Sequence, residues 1–92
     1  FPTFNELFEN NDFKVTQVTL PQRKIIPTHA GVNRIIFSLS DYQIIYESDK
    51  SEKSKKQFKK GDAHWHEDCN HSVENIGETE AIFLVIAYKV SK

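Results

Sequence analysis

Four histidines carry most of the chemistry open to this chain: His29, His64, His66 and His71. Three of them fall within eight positions, in Gly61-Asp-Ala-His-Trp-His-Glu-Asp-Cys-Asn-His71. Neutral imidazole is the commonest metal ligand in proteins, and three or four convergent ring nitrogens suit a divalent first-row ion. His64 and His66 are two apart and share one face of a strand, while a loop before His71 can fold that side chain back. His29 follows Pro27-Thr28 and opens a different strand, so it can approach from across a sheet. Glu67 or Glu74 could add a carboxylate oxygen.

Two orientations of the middle pair are open. If Ala63 and Trp65 face a core, His64 and His66 face a subunit interface or water. Burying a Trp is worth about 3 kcal/mol, more than burying a His unless a metal offsets the desolvation. If the imidazoles turn inward instead, they join His29 and His71, which are the stronger interior pair. A Cys-His nucleophile built from Cys69 with His66 or His71 is disfavoured, because sequence neighbours on a loop rarely align and no third orienting group is evident. The three glycines, Gly31, Gly61 and Gly77, form no phosphate-cradling loop and punctuate turns.

These residues must be positioned by short strands. Thr3 and Glu6 form a capping box, and Phe4, Leu7 and Phe8 at i, i+3 and i+4 predict a short helix before Asn10-Asn-Asp12. From Phe13 the period becomes strand-like. Strands are expected over Phe13–Leu20, Lys24–Ile26, Asn33–Leu39, Tyr42–Tyr46, Ser54–Phe58, Ala63–His66 and His71–Glu74. Ser40-Asp41 reads as a two-residue hairpin, and the continuous apolar run Ala81–Tyr88 as a last strand buried on both faces. Turn signals at this spacing predict a β-sandwich or barrel.

Length and charge restrict the partners. Ninety-two residues make one domain, taken as 1–92, with 12 Lys and Arg against 13 Asp and Glu. That balance gives no bulk case for nucleic acid or an anionic membrane. Six lysines between Lys50 and Lys60 nearly lack aromatics and read as a solvated hairpin that blunts a sheet edge. A single Cys69 excludes an intramolecular disulfide, and no apolar run reaches the ~20 residues of a membrane span. No signal-peptide pattern opens the sequence, so cytoplasm is the expected compartment; without any Met, Phe1 is not expected to be the translational start. So small a chain buries only about two-thirds of its unfolded surface, which predicts a homodimer.

The stretch from Gly61 to Asn75 resembles the second conserved motif of the cupin family, with Gly61, His71 and Asn75 matching by identity. Glu67 stands where the motif has Pro, and Cys69 where it has Gly. Val73–Ala81 and Phe83–Ile86 are similar to small single-domain cupins, including those linked to β-alanine degradation. The resemblance implies an all-β, double-stranded β-helix or jelly-roll barrel, here with the short N-terminal helix in addition. The family's first motif supplies His-x-His and a Glu; in Pro27–Leu39 only His29 matches, and Arg34 falls near the Glu position. The usual three-His, one-Glu set is therefore not carried over. An inward Arg34 would repel a metal and attract a carboxylate or phosphate.

The expected function is a cupin barrel that binds a divalent transition metal, a small anionic organic molecule, or both. His29, His71, His64 and His66 are the candidate metal ligands; Arg34 and Trp65 are the candidate ligand-binding residues. No catalytic residue is assigned. The rival expectation is a metal-free sensing or structural cupin acting through its dimer interface, with His64 and His66 in that interface.

Overall fold

A computed structural model describes residues 1–67 and 69–89, and among these every regular element is a strand. The nine strands are β1 (Thr3–Glu9), β2 (Phe13–Leu20), β3 (Ile25–Gly31), β4 (Arg34–Ser38), β5 (Tyr42–Ser48), β6 (Ser51–Phe58), β7 (Ala63–His66), β8 (Cys69–Asn75) and β9 (Ala81–Tyr88). They form a five-stranded sheet ordered β1-β2-β9-β4-β7 and a four-stranded sheet ordered β3-β8-β5-β6. Every pairing is antiparallel.

Alternation builds the interior. Val18 and Leu20 of β2, Ile36 of β4, Tyr42, Ile44 and Tyr46 of β5, and Val73 of β8 point between the sheets and are buried. At one end the filling is complete, with Leu20, Ser38, Asn75 and Ala81 fully removed from solvent. At the other end the sheets stand open.

Two local expectations are corrected. The N-terminal segment is the edge strand β1, not a helix. A register shift between Glu6 and Phe8 lets Phe4 pair with Val18 and Phe8 with Val15, so one bulge reverses the alternation and imitates helical spacing. Nor do β4 and β5 form a hairpin through Ser40-Asp41, for they lie in different sheets and this link carries the chain across the barrel. The Lys-rich strand β6 is an edge strand, with Lys53, Lys55 and Lys56 exposed.

Two turns show why particular residues sit where they do. Gly61 adopts φ 94°, a left-handed conformation favouring glycine, between β6 and β7. Asn75 donates Nδ2–H bonds to the carbonyls of Leu20 (2.9 Å) and Thr79 (2.8 Å) and accepts from Gly77 N–H at 2.9 Å. This motif residue thus stitches the β8–β9 turn to the end of β2. No helix among the described residues is long and apolar enough to cross a membrane.

Candidate functional site

The open end encloses a cavity of about 390 Å³. All four histidines and Arg34 line it. His64 and His66 come from β7, where alternation sends Ala63 and Trp65 to the outer surface. Arg34 faces His66 across the β4–β7 ladder, and His29 faces His71 across β3–β8. His29 reaches the interior through a second bulge. Ile26 and His29 are three apart and should point oppositely, but a register shift between them brings both to the cavity.

The orientation question left by the sequence is thereby answered. Trp65 is 52% exposed and lies outside the cavity, so it does not line the ligand space as expected. The two imidazoles beside it face inward, which removes them from the outer surface where an interface role would need them.

Arg34 is the centre of the arrangement. It is 5% exposed, its Nη1 donates to the Val32 carbonyl at 2.7 Å, and its Nη2 lies 3.3 and 3.2 Å from the two ring nitrogens of His71. The guanidinium is a donor only, so whichever ring nitrogen of His71 is unprotonated is the one that can accept from it. Gly31 permits this approach: a Cβ there would stand 2.6 Å from His71 Cε1 and 2.7 Å from Arg34 Nη1.

The imidazoles contact one another and two aromatic rings. His29 and His71 meet edge to face at 4.2 Å between centroids, His64 and His66 at 4.7 Å. His64 stacks on Phe58 at 4.3 Å, and Tyr46 packs against both His66 and His71. His29 Nδ1 lies 2.8 Å from the Pro27 carbonyl, so this nitrogen carries a proton and donates it to that oxygen. Burial, and then Arg34 and His29, pull His71 down to about 4. Burial, and then His64 and Arg34, do the same to His66, also to about 4. His64 is lowered by burial, with Lys56 and Arg34 adding to it. Near neutral pH these three rings are uncharged.

Tyr46 and Cys69 complete this end. The Tyr46 hydroxyl lies 3.4 Å from Cys69 Sγ, which is 3.9 Å from His71 Nδ1. Burial, and then Cys69, push the tyrosine up to about 12, so it remains a neutral phenol. Tyr46 escaped the sequence reading, although the inward alternation Tyr42-Ile44-Tyr46 could have flagged it.

The donor chemistry suits a divalent ion, but the positions do not. Among the described residues no three His, Cys, Asp or Glu side chains are grouped so as to hold a metal. The guanidinium also occupies the space against His71 that a cation would need. As arranged, these residues do not fit a metal centre. Among the described residues no Asp or Glu lines the cavity and no carboxylate pairs with Arg34.

No protein-family model matches this chain, and no curated protein matches it by sequence. Solved structures do. A cupin domain from Bordetella pertussis Tohama I superposes with a TM-score of 0.87 at 20% identity, over 97% of this chain and 94% of that one. An RmlC-like cupin family protein with a double-stranded β-helix fold, from Methanocaldococcus jannaschii, gives 0.78 at 13% identity over 96% and 80%. A cupin-like protein from Thermotoga maritima MSB8 gives 0.77 at 15% identity over 97% and 69%. At such identities the likeness speaks to architecture, and with the two sheets and their strand order it identifies this chain as having the cupin fold, a double-stranded β-helix.

Proposed function

We propose that this barrel binds a small organic anion, its carboxylate held by Arg34 and its apolar body lying along the cavity wall. The observation that carries this reading is a buried guanidinium that, among the described residues, has no carboxylate partner and shares its cavity with no acidic side chain. An uncompensated buried charge costs several kcal/mol, and a ligand carboxylate offsets that cost through charge-assisted hydrogen bonds. The remaining wall is largely aliphatic and aromatic, including Val18, Ile36, Ile44, Val73 and Phe83. Such a lining favours a monocarboxylate with a hydrocarbon or ring body over a polyanion. The uncharged imidazoles add hydrogen-bonding capacity without competing for the negative charge.

Titrating the purified, untagged protein with acetate, butyrate and benzoate tests the reading by calorimetry and amide chemical shifts. Saturable binding is expected, strengthening from acetate to benzoate and lost in Arg34→Met. An absence of saturable binding by all three would contradict it. So would stoichiometric uptake of manganese, nickel or zinc by the wild type, since that would make the imidazoles a metal centre.

A further inference from the structure

The cavity is not lined at random, for aromatic rings follow one another in contact from its mouth to its floor. Toward the open end His29 meets His71 at 4.2 Å between centroids, His71 stacks with Tyr46 at 5.6 Å, and Tyr46 packs against His66 at 5.0 Å. His66 then meets His64 at 4.7 Å, and His64 lies on Phe58 at 4.3 Å with their planes 8° apart. At the floor Phe58 tilts against Tyr42 at 5.5 Å and Tyr42 against Phe83 at 5.7 Å. The Tyr42 hydroxyl lies 3.0 Å from Ser38 Oγ, which fixes this last pair at the closed end. Every ring of the chain lines the cavity, and both sheets contribute.

Strand β4 sets where the body of a ligand meets these rings. Arg34 begins the strand at the open end, opposite His66, and the fully buried Ser38 ends it at the closed end. Ile36, the inward position between them, lies opposite His64. A carboxylate on Arg34 therefore leads its substituent inward past Ile36 and His64, toward Phe58 and Tyr42. Aromatic rings attract one another in tilted, edge-to-face and offset-stacked arrangements by more than the area they bury, whereas a saturated body of similar size gains only the area. We propose, on the reading that Arg34 holds a carboxylate, that the ligand is an aromatic carboxylic acid and that Phe58 selects its planar ring over a saturated one. Phe58 holds that place because its ring joins the imidazoles to the floor, while its own side chain is only partly buried and open to the cavity.

Benzoate and cyclohexanecarboxylate share a carbon skeleton and a charge and differ in aromaticity, so together they separate ring recognition from size. Calorimetry on the wild type near neutral pH should show benzoate binding about fivefold more tightly. Phe58→Leu keeps an apolar side chain but breaks the run of rings, and should bring the two affinities within about twofold of each other. Circular dichroism verifies that the variant folds. Nuclear Overhauser contacts from the ring protons of benzoate to Phe58 and Tyr42 test the same placement in the wild type, without any substitution, and are expected. Benzoate binding no tighter than cyclohexanecarboxylate, a preference that survives Phe58→Leu, or bound benzoate without those contacts would each overturn the proposal and leave the carboxylate at Arg34 standing. Failure of both acids to bind, or binding indifferent to Arg34→Met, would instead remove the carboxylate reading and this proposal with it.

Discussion

Each end of the barrel buries a strongly hydrogen-bonding side chain, and the two are completed in different ways. At the closed end Asn75 is wholly buried, and both its amide nitrogen and its carbonyl oxygen have partners supplied by this chain. At the open end Arg34 is nearly as buried, yet among the described residues it has a carbonyl and a neutral imidazole for company and no acid. His64 Nδ1 has no hydrogen-bond partner among the described residues. A buried polar group whose bonds are met within the chain contributes to holding the fold. One left short of its natural counter-charge keeps its capacity to bond a group from outside.

Asn75→Ala gives that contrast its largest expected effect. It strips partners from Leu20, Thr79 and Gly77, and should lower the urea-unfolding free energy by about 2–4 kcal/mol. Arg34→Met should change the same quantity by less than about 1 kcal/mol or raise it, because an apolar side chain of similar length removes an uncompensated charge. If Arg34→Met cost as much as Asn75→Ala, the distinction between the two ends would collapse.

Acid should act on the open end next. His66 and His71 protonate near 4 in the folded state instead of at the ordinary 6.5, so between those values the unfolded chain binds more protons. Stability is therefore full above pH 6.5 and declines as pH falls from there toward 4, together by on the order of 1–2 kcal/mol once solvent screening is allowed for. Urea melts across this range should show the slope, and His71→Gln should flatten it.

A smaller effect is expected of Gly31→Ala. The added methyl meets the mobile ends of Arg34 and His71 and not backbone, so the fold should lose less than about 1 kcal/mol. Displacing the guanidinium should nevertheless weaken benzoate binding about tenfold, or roughly 1.4 kcal/mol, by calorimetry. Unchanged affinity would detach Gly31 from the site.

Much of this architecture was legible because period-two patterns and turn residues are local. β2 and β9 fall on the expected boundaries, and His71 and Asn75 occupy interior positions consistent with the motif. Failures cluster where a bulge breaks the period. One extra residue in β1 produced helical spacing from a strand, and another in β3 decides which way His29 points. For β7 the alternation was clear but its phase was not. Hydrophobicity favours Trp65 inside, and that argument fails because the barrel's open end holds a polar cavity and the outer sheet face is apolar. Arg34 was readable as an anion-seeking group, whereas its bonds to Val32 and His71 depend on contacts that no spacing rule contains.

The guanidinium itself reports most directly on what the open end holds. Its side-chain nitrogen and proton resonances can be followed while benzoate is added to the wild-type protein. The expected result is a saturating downfield shift of the Arg34 N–H signals, in step with the amides of Gly31 and Val32. Binding that moves other residues and leaves those signals fixed would contradict a carboxylate at Arg34.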